Sequence, residues 1–179
     1  MKKLRAIAAV TMNWGIGYNG NLIYRISEDM VNFRKKTIGQ VVIMGRKTLE
    51  SLPNKRPLPH RINIVLSRND IPVSNGVIHY NNIPQLLHEL STNPLLKNKR
   101  QYVIGGGTIY AQLLPYCDII ELTRIHEHCD TVDTFFPDLK QHSDWVMSYC
   151  SYPLIDSTCG IVYRYETWEK KHINDSIGV

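Results

Sequence analysis

The sequence predicts an α/β protein with a central mixed, mostly parallel sheet of about eight strands. About four helices flank it, and an antiparallel hairpin closes the C-terminal end. Three observations carry this. Apolar, β-branched runs alternate with helix-period stretches along most of the chain. Two of those runs pass through glycine straight into a helix, at 40–48 and at 102–110. Two late segments, 144–152 and 160–168, alternate as an antiparallel pair about a turn at 154–159.

Residues 4–11 read as a first buried strand. Residues 13–21 hold three glycines and three asparagines, a composition that predicts a mobile loop. Trp14 and Tyr18 give that loop apolar mass, so it reads either as a lid or as a surface loop without function. Ser27 is the expected N-cap of the next helix, with Glu28 and Asp29 in its first turn. Asp29 and Phe33 lie four apart, which sets Asp29 on or beside the apolar face with Met30. The alternative is a solvated first-turn acid.

Residues 40–44 form a strand, and Gly45-Arg46-Lys47-Thr48 opens a short helix that stops at Pro53. Cations oppose the dipole at a helix start, so Arg46 and Lys47 read as ligands of a bound anion. A basic, proline-rich loop at 53–61 leads to a strand at 62–66, which ends in Ser67-Arg68. A strand at 77–80, a helix from 83 to 90 and a polar loop at 91–100 follow. Tyr102-Val103-Ile104 then enters Gly105-Gly106-Gly107. That turn has no side chains to keep a ligand off its backbone, and a helix N-terminus behind it suits a phosphate. The alternative is a plain connection between packed elements. The usual dinucleotide fingerprint is absent, because Tyr110 stands at its third glycine. Pro115 ends the helix, a strand covers 118–125, and residues 133–137 make a turn with buried aromatics. The domain is read as residues 1–169, with a frayed tail at 170–179.

Apolar residues at 43% and charged residues at 21% are ordinary for a globular protein. No apolar run reaches the ~18 residues of a membrane span, and 7–10 is too short for a signal segment. The expectation is a cytoplasmic protein with its four cysteines reduced. His126-Glu127-His128-Cys129 is not spaced as a metal shell, so no metal is expected. A net charge of +5 favours small polyanions or nucleic acid. The scattered basic residues and the lack of an aromatic-basic repeat argue against nucleic acid.

Several motifs occur in one order: Ile16-Gly17, Ser27-Glu28-Asp29-Met30-x-x-Phe33, residues 42–51, Arg56-Pro57-Leu58-Pro59-x-Arg61-x-Asn63, Val103-Ile104-Gly105-Gly106-Gly107-x-x-Tyr110, Leu122-Thr123 and Asp133-Thr134-x-Phe136-Pro137. Together they resemble the dihydrofolate reductase family. The resemblance implies that family's fold, in one domain, and NADPH-dependent reduction of 7,8-dihydrofolate to tetrahydrofolate in one-carbon metabolism. It implies that Asp29 binds and polarises the pterin while a water delivers the proton, supported by Thr123 and Tyr24. Ile7, Ala9, Phe33, Leu52, Leu58, Ile104 and Tyr110 would line the substrate, and Arg61 would grip the glutamate tail.

The same resemblance assigns the cofactor. Thr48, Gly105, Gly106, Gly107 and Thr108 would hold the pyrophosphate, and Gly45 and Ile109 are also expected to contact the cofactor. Arg46, Lys47, Ser67 and Arg68 would surround the 2′-phosphate and adenosine, favouring NADPH over NADH, with Leu66 also expected to contact the cofactor. Tyr110 would lie beside the nicotinamide, and Ala9 and Ile104 are also expected to contact the cofactor. Ile16, Gly17 and Leu22 belong to the closing loop. A cis Gly105–Gly106 peptide is implied too.

Ile23-Tyr24 stands where many members have Pro-Trp. That predicts a more mobile loop and an altered response to antifolates such as trimethoprim and methotrexate. The expected partners are small molecules, with no membrane and a monomeric state. Two rivals remain: a related riboflavin-pathway reductase, and a non-catalytic folate- or NADPH-binding module such as an mRNA-binding regulator.

Overall fold

The computed structural model describes residues 4–71 and 76–171. Its centre is built from strands whose buried side chains are mostly apolar. In chain order the elements are β1 (Leu4–Val10), β2 (Gly15–Tyr18), β3 (Asn21–Leu22), α1 (Ser27–Thr37), β4 (Val41–Gly45), α2 (Arg46–Ser51), β5 (Ile62–Leu66) and β6 (Val77–Tyr80). Then come α3 (Ile83–Thr92), α4 (Pro94–Lys97), β7 (Gln101–Gly105), α5 (Gly107–Leu113), β8 (Cys117–Ile125), β9 (Thr134–Phe135), β10 (Trp145–Cys150), β11 (Leu154–Ile155) and β12 (Val162–Lys170).

The main sheet runs β10-β12-β8-β1-β7-β4-β5-β6, with the short β11 on β12. Pairs from β8 through β6 are parallel, and β12 joins β8 and β10 antiparallel. This is the predicted mixed sheet with its closing hairpin. Val41, Val42, Ile43 and Met44 are fully buried, as expected of a central parallel strand covered on both faces.

Six local differences from the sequence expectation stand out. The segment read as a loop at 13–21 folds into β2 and β3, which pair with β9 as a second, three-stranded sheet. Its strands are too short and glycine-rich to show a period. Of the aromatics at 135–136, Phe136 is buried but Phe135 is exposed. The polar stretch at 91–100 contains α4, because Asn93 accepts from Leu95 N at 3.0 Å and Leu96 is buried beneath it. Ser27 is the first residue of α1 rather than its cap: its N–H donates to the Asp156 carboxylate at 2.7 Å. Met30 is exposed. Finally, β12 continues through Glu169 and Lys170, which pair with Val146 and Trp145. The rest of the expected tail, 172–179, lies outside the described residues.

Candidate active site

Three parallel strands end side by side. The register pairs Gly45 with Leu66 and Met44 with Gly105. This brings Arg46 and Lys47, Ser67 and Arg68, and the glycine triplet to one carboxyl edge, where ligands of α/β sheets bind. The Gly105–Gly106 peptide is cis, and Gly105 has φ +136°. A Cβ at Gly106 would lie 3.3 Å from Thr48 Oγ1, and one at Gly45 2.8 Å from Ile109 Cγ1. The turn is therefore closed by backbone against Thr48 and Ile109. Neither α2 nor α5 has a side-chain cap, so no capping side chain takes up their first N–H groups. Arg46 pairs with Glu50 at 2.7 Å, while Lys47, Arg68 and Thr108 are exposed.

On the other side of the edge, α1 lies on the face of β1 and β8. Thr123 Oγ1 donates to Asp29 Oδ1, and Thr123 pairs with Ala9 on β1. Seven residues further along α1, Lys36 pairs with Glu121, which also holds Arg5 at 2.8 Å. Burial raises the Asp29 carboxyl above its ordinary value; the Thr123 hydrogen bond and nearby Lys36 oppose that rise without cancelling it. Tyr110 reaches back from α5, and its hydroxyl donates to Ile7 O at 2.7 Å. It thus links the glycine turn to the strand beside Asp29.

Arg61 is held by Thr37 and Pro59. Its Nε donates to Thr37 Oγ1 at 2.8 Å and its Nη1 to Pro59 O at 2.7 Å. Its Cζ stands 5.8 Å from the Phe33 ring centroid. Burial, then the neighbouring Arg34, lowers its pKa, so an anion here relieves two crowded cations. The buried Asn63 amide clamps the preceding loop, accepting from Leu58 N and donating to Leu58 O, both at 2.9 Å. Leu52, Leu58 and Ile104 pack together against the cluster of Val42, Met44 and Val65.

The segment at 13–21 is latched at its tip: Asn19 N donates to Asp133 at 2.8 Å and Asp133 N to Gly17 O at 3.1 Å. Ile16 packs on the core, whereas Leu22 is 52% exposed. Tyr24 packs with Ile26, Ile125 and Tyr163. Burial, then Cys129 and Glu127, raises its pKa. Among the described residues it makes no hydrogen bond to Asp29.

Several positioning residues escaped the sequence reading. Thr37, four residues after Phe33, was legible as a residue of the same helix face. Asp156 was not: it caps α1 from 129 residues away and also accepts from Thr158 N at 2.9 Å. Asn63 carries no local signal that marks it as a clamp.

This arrangement defines a class: an α/β protein with a glycine turn at its strand ends, beside a half-buried carboxylate and a held arginine. The profile of the family described as Dihydrofolate reductase matches residues 3–170. The dihydrofolate reductase of Aedes albopictus is 33% identical, over 95% of this chain and 98% of that one. A bifunctional dihydrofolate reductase-thymidylate synthase of Daucus carota is 38% identical over 92% of this chain. The chain spans only 33% of that protein's length. A solved Enterococcus faecalis dihydrofolate reductase, complexed with NADP(H) and RAB-propyl, superposes with a TM-score of 0.81. It is 31% identical, with 95% and 97% of the two chains covered. The chain belongs to the dihydrofolate reductase family. No described helix is long and apolar enough to cross a membrane.

Proposed function

We propose that the protein reduces 7,8-dihydrofolate to 5,6,7,8-tetrahydrofolate with NADPH. The observation that carries this is Tyr110. From the glycine turn it bonds to Ile7 O on the strand that pairs Ala9 with Thr123, the partner of Asp29. On this reading a dinucleotide site and a pterin-binding carboxylate share one wall.

The residues present fit NADPH. The glycine turn admits phosphate oxygens to backbone N–H groups, and Lys47, Arg46 and Arg68 supply cations for a 2′-phosphate. Bound there, NADPH supplies the hydride for C6. The chain's own groups do the rest. Asp29 accepts from the 2-amino group and ring N3 of a pterin, fixing and polarising the ring, while a water protonates N5. Thr123 keeps Asp29 oriented. Phe33, Leu52 and Leu58 pack on the aminobenzoyl ring. Arg61, with Arg34 beside it, takes the glutamate carboxylates. The latched loop excludes water. Antifolates use the same pterin pocket, and Ile23-Tyr24 alters their affinity. The protein acts as a cytoplasmic monomer.

The cation cluster sets cofactor choice. Lys47→Ala combined with Arg68→Ala should raise the KM for NADPH about 10–100-fold and leave that for NADH nearly unchanged, as expected for losing charge-assisted hydrogen bonds. Equal changes for both cofactors count against a 2′-phosphate site.

Arg61 separates this reading from a pyrimidine or tail-less pterin reductase. Arg61→Ala should raise the KM for dihydrofolate about 10–100-fold with little change in kcat, because the tail is bound equally in ground and transition states. A dihydropterin without the tail should be reduced with a poor KM that the substitution does not worsen. Preference for the tail-less substrate in the unmodified enzyme contradicts the assignment.

A further inference from the structure

The base of the closing loop is tied to a buried arginine to which the proposed reaction assigns no role. Arg124, on β8, is 4% exposed. Its Nη1 donates to Thr11 O at 3.0 Å, where β1 gives way to the loop. Its Cζ lies 3.9 Å from the centroid of the Trp14 ring. Nε and Nη2 reach the two Glu166 oxygens at 3.4 and 3.3 Å. Glu166 is further fixed by Trp168 Nε1 at 3.0 Å and Arg164 Nε at 3.1 Å. The guanidinium therefore has a rigid anchor behind it and the loop in front.

Trp14 needs holding. Its φ is +64°, a left-handed conformation that bulky residues avoid. Its ring stacks on Phe136, with centroids 6.4 Å apart and planes at 21°. Phe136 in turn lies 4.7 Å from Tyr110, and Phe136 N donates to Trp14 O at 2.9 Å. The same loop sheet touches the glycine turn directly. A Cβ on Gly107 would stand 2.9 Å from Phe135 O, so β9 packs on the first residue of α5 with no space between them.

We propose that Arg124 is a positioning residue for the closing loop. By stacking on Trp14 and bonding Thr11, it presses the loop base against Phe136 and Tyr110, so the loop and the dinucleotide turn move as one unit. The proposal rests on the reductase reading only in naming NADPH as what that turn holds. An arginine is required because a planar fork can stack and donate in several directions at once. A lysine keeps the charge toward Glu166 and loses both.

The test is amide hydrogen exchange on the ligand-free full chain, comparing wild type with Arg124→Lys. Exchange in residues 11–18 and 134–136 should rise about 10-fold, as expected for losing one hydrogen bond and one stacked cation. Protection in β4 and β5 should be unchanged. Trp14→Leu, which keeps apolar bulk and leaves the Arg124–Glu166 pair intact, should give the same local signature. In both variants NADPH dissociation should quicken about 10-fold while the KM for dihydrofolate stays within about twofold. Unchanged loop exchange, or a uniform rise across the chain, overturns the proposal and leaves Arg124 as core packing. If wild type fails to bind NADPH while Arg124→Lys still loosens 11–18, the positioning stands and the reductase reading falls.

Discussion

Asp29→Asn should cost about 10²–10⁴ in kcat, the range for losing a group that assists proton movement, and yet make the free protein more stable at neutral pH. The amide can still accept from Thr123, so the fold keeps that bond. It also presents an N–H where the pterin offers its own donors, so the ring loses its paired acceptor. The stability gain follows from the sign of the Asp29 shift. Burial, only partly offset by Thr123 and Lys36, raises the folded-state pKa above the unfolded value. Such a group favours the fold fully below the unfolded value, roughly 3.9 for Asp, and loses that contribution as pH rises through the folded value. The gap in melting temperature between variant and wild type should therefore be near zero at low pH, open through the acid range and level off above the folded pKa. A variant that is less stable than wild type at pH 7 contradicts this account of Asp29.

Gly105→Ala should destabilise the fold by about 1–3 kcal/mol, the usual cost of a side chain in a conformation reserved for glycine, and should also weaken NADPH binding at least about 10-fold. The first effect comes from φ +136°. The second comes from place: a methyl there faces Thr48 Oγ1 at 3.4 Å and Tyr110 Cε2 at 3.7 Å, inside the turn that would receive phosphate. Gly39 provides the comparison. It has φ +73°, and nothing lies within 4 Å of a Cβ built there. Gly39→Ala should lose stability and retain cofactor affinity. Thermal melts with NADPH titrations of both variants decide this; equal loss of affinity in the two would show that the turn is not the binding element.

How much of this was legible in the sequence depended on whether the signal was local. Central strands such as β4 and β7 announce themselves as continuous apolar runs, and the glycine triplet as an interruption. The parallel order and the closing hairpin followed from that punctuation. Asp29 and Phe33 could be placed on one helix face because they are four residues apart. Long-range partners were not legible. Asp156 caps α1, Arg124 grips Thr11 and Glu121 anchors Lys36 only because the sheet brings them together. The two-residue strands β3 and β9 fail for another reason: their pairing depends on backbone complementarity, as at Gly17, where a Cβ would sit 2.8 Å from Asn21 O. Tyr24 marks a mixed case. Its identity departed visibly from the Pro-Trp pattern, but its packing among Ile26, Ile125 and Tyr163 required the fold.

The most direct measurement is steady-state NADPH oxidation, followed by absorbance, when dihydrofolate is added to the wild-type protein. Stoichiometric oxidation dependent on dihydrofolate, with tetrahydrofolate as product and the rate largely lost in Asp29→Asn, is the predicted result. Tight NADPH binding without oxidation, or oxidation that Asp29→Asn leaves intact, would contradict it.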